Sequence, residues 1–117
     1  MTYVDGFVAA APTTSRETYQ NHVRTMGKVF RECGALRVVD CWGEDVPDGK
    51  LTSFPMAVKK EADETVVFGW IEWTSRAARD AGFEKAMQDP RLTGANPPFD
   101  GKRMIFGGFD VVADTQD

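Results

Sequence analysis

The stretch Thr65–Leu92, TVVFGWIEWTSRAARDAGFEKAMQDPRL, decides the fold. Val66, Val67, Phe68, Trp70, Ile71 and Trp73 form a strand with apolar bulk on both faces, more than a sheet covered on one side requires. Thr74 or Ser75 supplies a helix cap. A helix carrying Phe83, Ala86 and Met87 follows, and Pro90 is expected to stop it. This is a strand–helix unit, and a second one precedes it.

That first unit opens with a strand over Tyr3 to Ala10. Thr14 and Glu17 have the T-x-x-E spacing of a capping box, in which each side chain satisfies the other residue's free backbone donor. The helix behind it repeats Tyr19, Val23, Met26, Phe30 and Cys33 at steps of four and three residues, which predicts a single apolar stripe. Gly34 is a natural C-terminal cap. Leu36 to Glu44 reads as the second strand, and Arg103 to Val112, with Gly107 and Gly108 inside it, as the last. Between the two units, residues 45–63 form an irregular insertion with Phe54, Met56 and Val58, read as a loop carrying a short helix or an edge strand. The order βαββαβ predicts one α+β domain over residues 1–117. Its fold is a ferredoxin-like sandwich: a four-stranded antiparallel sheet with two helices on one face.

Alternation within the strands sorts residues by face. Val4, Gly6 and Val8, then Val67, Gly69, Ile71 and Trp73, then Ile105, Gly107, Phe109 and Val111 carry no charge and are expected under the helices. Asp5 with Phe7, Asp40 with Trp42, Glu72 with Phe68 and Trp70, and Asp110 with Phe106 would face away. A monomer would then expose Phe7, Trp42, Phe68, Trp70 and Phe106 together, so this face is expected to be covered by a second copy in a two-fold homodimer.

Several segments resemble a known family: YVDGFV from Tyr3, TSFPMAVK from Thr52, SRAARD from Ser75, MQDPR from Met87 and FDGKRMIFGGF from Phe99. Together they are similar to the YbaA-like family of small bacterial proteins of unknown function, along nearly the whole chain. The resemblance implies a dimeric α+β barrel, two ferredoxin-like subunits joined through their sheets. Antibiotic-biosynthesis-type monooxygenases, EthD-like proteins, muconolactone isomerase and haem-binding chlorite dismutases share that architecture. They share no single chemistry, and the resemblance carries over no catalytic residue.

Composition limits the functional classes. The chain has 117 residues, 42% of them hydrophobic, and a formal net charge of −4. Its basic residues are scattered, which argues against nucleic-acid binding. No apolar run reaches a membrane span, and the MTYVDGF start has no basic region of the signal-peptide kind, so a cytoplasmic protein is expected. Cys33 and Cys41, outside CxxC spacing, read as reduced thiols. One histidine cannot build the usual multi-histidine metal centre, and no metal or cofactor is expected.

The candidate catalytic groups are Asp5, placed mid-strand near glycines of the first and last strands, and His22 on the flank of the first helix. The candidate ligand-binding residues are Trp70 and two arginines, Arg76 and Arg79, set in a helical first turn where the dipole disfavours cations. Each has a plainer explanation: boundary packing for His22, ion pairs for the acids and arginines, core or dimer packing for Trp70. The functional expectation is a homodimer that binds or converts a small planar organic molecule without a cofactor. The alternatives are a non-enzymatic stress or interaction protein, and a haem-binding protein using His22.

Overall fold

A computed structural model describes residues 2–116. Strand β1 spans Tyr3–Pro12, and a 3-10 turn over Thr13–Ser15 leads into helix α1, Arg16–Glu32. Strand β2 (Arg37–Trp42), a short helix α2 (Phe54–Ala57) and strand β3 (Glu64–Trp73) follow. Helix α3 (Arg76–Ala86), a single turn α4 (Pro90–Thr93) and strand β4 (Ile105–Asp110) complete the order. The sheet runs β2-β3-β1-β4, and every neighbouring pair is antiparallel. This is the expected ferredoxin-like arrangement, with each strand–helix unit crossing over to interleave with the other.

Local chemistry explains most boundaries. Ser75 caps α3 by accepting from the Ala78 N–H at 3.0 Å. Gly34 takes φ +112° after α1, a conformation that suits glycine. The insertion contains the short helix α2, whose cap Ser53 accepts from the Met56 N–H. Two local expectations fail. No side chain caps α1: the Ser15 hydroxyl instead donates to the Pro12 carbonyl, and the 3-10 turn occupies the place of the Thr14–Glu17 box. Pro90 does not stop α3, which ends at Ala86; it opens α4, where its missing N–H costs nothing.

The sorting of faces also needs correction. Register pairs Tyr3 with Trp73, Asp5 with Ile71 and Phe7 with Gly69, so odd-numbered residues of β1 and β3 share a side. That side meets α1 and α3, because Trp73 lies 6.4 Å from Phe30 and 5.8 Å from Phe83 by ring centroids. Val67, Ile71 and Trp73 are under the helices as expected and are buried. Val4, Gly6 and Val8, with Ile105, Gly107 and Phe109, lie on the opposite, open side. Phe7, Trp42 and Phe106 lie on the helix side, not on the face assigned to a partner. Phe7 fills the space over Gly69, where a Cβ would come within 2.7 Å of its ring, and Trp42 packs on Tyr19 at 5.6 Å. Phe106 stands 78% exposed on edge strand β4.

The open face therefore carries Val39 and Cys41 of β2, Phe68 and Trp70 of β3, Val4 and Val8 of β1, and Ile105 and Phe109 of β4. Only its upper end is covered. There Val58, fully buried, packs with Val8, Ala10 and Val66 beneath the insertion, and Phe54 of α2 meets Phe68 at 6.0 Å. Glu64 and Arg103 pin the insertion to the start of β4. Their two side-chain hydrogen bonds are 2.8 and 2.7 Å, and Arg103 also donates to the Lys59 carbonyl.

Candidate functional site

Two of the sequence candidates stand together. Asp5 lies on the helix side of β1, and Arg79 reaches it from the first full turn of α3, Nε to Oδ1 3.3 Å. That N–H is not aimed at the carboxylate, so the contact is an ion pair without a hydrogen bond. Asp5 instead accepts from the Trp73 indole N–H at 2.9 Å. Arg79 donates to the Tyr3 hydroxyl at 2.9 Å and to Asp80 at 2.8 Å, with its guanidinium 5.0 Å from the Tyr3 ring centre. Gly108 of β4 leaves the room for this: a Cβ there would collide with the Arg79 guanidinium and the Tyr3 hydroxyl. Burial pushes the Asp5 carboxyl up, while the Trp73 hydrogen bond and then Arg79 pull it back. The cluster braces α3 against β1, and it explains a cation in a helical first turn by the partly buried carboxylate below it.

The other candidates go elsewhere. Arg76, exposed, makes only a 3.8 Å contact with Asp80. Trp70 lies on the open face, donating to Glu72 at 2.9 Å and packing on Phe68 at 5.9 Å. His22 is half-buried on α1, its ring edge-on to Phe99 at 6.1 Å, and burial lowers its pKa. None of these five residues lines either of the two concavities described next.

The first concavity is an apolar hollow of about 260 Å³ on the open face, bounded by Cys41, Trp42, Val46, Phe54, Val66 and Phe68. Phe54, Phe68 and Trp70 form an aromatic row beside it. The second is an open cleft of about 600 Å³ between α1 and edge strand β2. Gly27 of α1 faces Val38 of β2 there, and a Cβ at Gly27 would stand 3.7 Å from the valine, in ordinary contact. Arg24, Lys28 and Arg31 of α1 and Arg37 of β2 surround the cleft, with Asp40 also lining it.

Asp40 is the group that the sequence marks least clearly. Burial pushes its carboxyl up to about 6, and no hydrogen-bond or ion-pair partner holds it among the described residues. Close by, the Tyr19 hydroxyl is buried without a partner, and its pKa is raised first by burial and then by the charges of Asp40 and Cys41. The signal in the sequence was the spacing of Arg24, Lys28 and Arg31 on one helical face beside a strand with a single central acid. Among the described residues no three His, Cys, Asp or Glu side chains group as metal ligands, and no helix is long and apolar enough to cross a membrane.

Comparison with known proteins agrees with the fold. SnoaB, a cofactor-independent oxygenase from Streptomyces nogalater, superimposes with a TM-score of 0.54 at 14% identity, covering 99% of this chain and 96% of that one. A dimeric ferredoxin-like protein from an uncultured marine organism gives a TM-score of 0.58 at 13% identity, covering 98% and 100%. At these identities the likeness is one of fold. In sequence, the uncharacterised protein YbaA of Escherichia coli K12 is 53% identical over 116 residues, covering 97% of this chain and 99% of that one, and YbaA of Shigella flexneri matches equally. Residues 2–101 match the family described as a protein of unknown function, DUF1428. With that family match over residues 2–101 and near-complete coverage at 53% identity to YbaA, this chain belongs to the DUF1428, YbaA-like family.

Proposed function

We propose that the chain acts as a homodimer, sheet against sheet, and that it binds a small planar organic molecule without a cofactor in the apolar hollow beside Phe54 and Phe68. The open sheet face carries this reading. Phe68, Ile105 and Phe109 are exposed there next to Val4, Val39 and Trp70, and only α2 covers one end. A contiguous apolar patch of that kind marks an interaction surface, and a two-fold axis lets one patch cover its own copy. The dimeric state of the ferredoxin-like protein from the marine organism supports the assembly, and the cofactor-independent chemistry of SnoaB supports a small-molecule role on this fold. The aromatic row Phe54–Phe68–Trp70 is suited to stacking on a planar ligand.

Sedimentation at micromolar concentration tests the assembly. The wild type is expected as a dimer, and the Phe68→Asp/Phe109→Asp variant as a folded monomer; a monomeric wild type overturns the proposal. Trp fluorescence during titration with a panel of planar aromatic compounds tests the hollow. A saturable change that Phe54→Ala abolishes is the expected result.

A further inference from the structure

We propose that the cleft between α1 and β2 is a separate binding site for a small organic anion, a carboxylate or a phosphate monoester, whose charged head is held by Arg24, Lys28, Arg31 and Arg37. The chain carries a formal net charge of −4, yet four cations converge on this one cleft. Arg24, Lys28 and Arg31 are spaced four and three residues apart on α1, and like charges at those spacings destabilise a helix. Among the described residues none of these three has an ion-pair partner within 4 Å, and Arg37 has only Glu72 at 3.8 Å. Glu32, an acid that lines the cleft one turn after Lys28, is held chiefly by Arg91 of α4 at 2.7 Å and interacts with Lys28 only through space. An anion in the cleft would relieve the repulsion, with Arg guanidinium groups suited to grip its oxygens in pairs.

A second observation concerns the wall of the cleft. Tyr19 is 3% exposed, and its hydroxyl has no hydrogen-bond partner although Asp40, which lines the cleft, is close enough to influence it. Buried polar groups are rarely left unpaired, and where they are, an absent water or ligand is one explanation. Asp40, which lines the cleft and has no hydrogen-bond or ion-pair partner among the described residues, offers an acceptor for a hydroxyl on the body of the ligand. The buried Tyr19 lies behind this wall of the cleft, packed on Trp42. The cleft, about 600 Å³, is open along one side, so a bound molecule would keep part of its surface in water. No residue of this cleft bounds the hollow on the open face, so the two sites are distinct.

Amide NMR of the full chain tests the site, with two non-aromatic anions, lactate and glycerol 3-phosphate, as probes and sodium chloride at matched ionic strength as control. Saturable shifts confined to Gln20, Val23, Gly27 and Val38 are expected, and whichever probe binds tighter identifies the head group. Arg24→Gln/Arg31→Gln should raise the dissociation constant by about tenfold or more, and Arg37→Gln alone by a smaller factor. Arg76→Gln, an exposed arginine outside the cleft, and Phe54→Ala, in the other hollow, should leave it unchanged. Equal shifts with chloride, or undiminished affinity in both the double and the Arg37 variants, overturn the proposal.

Discussion

Arg103 grips Glu64 through two parallel hydrogen bonds, Nη1 to Oε1 at 2.8 Å and Nη2 to Oε2 at 2.7 Å, and Glu64 is the one buried charged residue among the described residues. Glu64 accepts a third bond from the Glu61 N–H at 2.7 Å. The pair joins the end of the insertion, the start of β3 and the approach to β4, three segments far apart in sequence. Removing one partner leaves the other charge buried, which costs more than the intact pair contributes.

Arg103→Gln should therefore destabilise the fold, measured by urea denaturation at pH 7. Chiefly the Arg103 hydrogen bonds hold the Glu64 carboxyl below its ordinary value, so its contribution is present above the unfolded pKa and lost as pH falls through the folded one. The gap between wild type and variant should narrow below about pH 4. A gap independent of pH would show that Glu64 is not the responsible partner.

Asp40 has the opposite sign. Its carboxyl is raised from 3.8 to about 6 by burial, so the native state binds the proton more tightly than the unfolded one. Stability contributed by the protonated form is fully present below about pH 4 and is lost as pH rises toward 6. Asp40→Asn removes the penalty and should stabilise the protein at pH 7.5 by about 1–3 kcal/mol, with little effect at pH 4. Thermal melts at the two pH values check this. A stabilised variant that also loses anion binding would show a site kept at the expense of stability.

Gly82 of α3 lies against the Trp73 ring, where a Cβ would stand 2.7 Å from Cη2 and 2.9 Å from the Cys33 carbonyl oxygen. Helix propensity alone favours alanine by about 1 kcal/mol. The clash should win, because Trp73 is fully buried and the carbonyl belongs to the backbone. Gly82→Ala should cost about 1–3 kcal/mol by the same denaturation measurement; a gain would mean that α3 moves freely off the sheet.

Two helix starts give a paired test. Ser75→Ala removes the bond from the Ala78 N–H and should cost about 1 kcal/mol. Thr14→Ala should cost less than about 0.5 kcal/mol, since no side chain caps α1. Equal losses in the two variants would restore the Thr14–Glu17 box.

Much of the fold was legible because its signals are local. The stripe Tyr19–Val23–Phe30, the glycine after α1 and the serine before α3 depend on residues within a few positions of one another. The order of elements then limits the topology to few choices. The candidate site was less legible. Arg79 and Asp5 were both conspicuous, but nothing in the chain says that they meet across 74 residues; only the pairing of β1 with β3 and the docking of α3 bring them together. His22 and Trp70 were conspicuous too, and folding sends them to opposite sides of the sheet.

The faces of the sheet show where the local information stops. Alternation told which residues of one strand share a side, and it held within each strand. It could not tell which side of β1 joins which side of β3, because that is set by inter-strand register, and a shift of one residue exchanges the two faces. Absence of charge was a poor substitute, since Asp5 lies under the helices with Trp73 and Arg79 to satisfy it. Periodicity thus determined the elements and their order, and the resemblance of short motifs pointed to the family, all properties of short segments. The side to which Phe7, Trp42 and Phe106 belong, and the meeting of Arg24, Arg37 and Asp40 around one cleft, were decided by tertiary pairing, where residues distant in the chain share one environment.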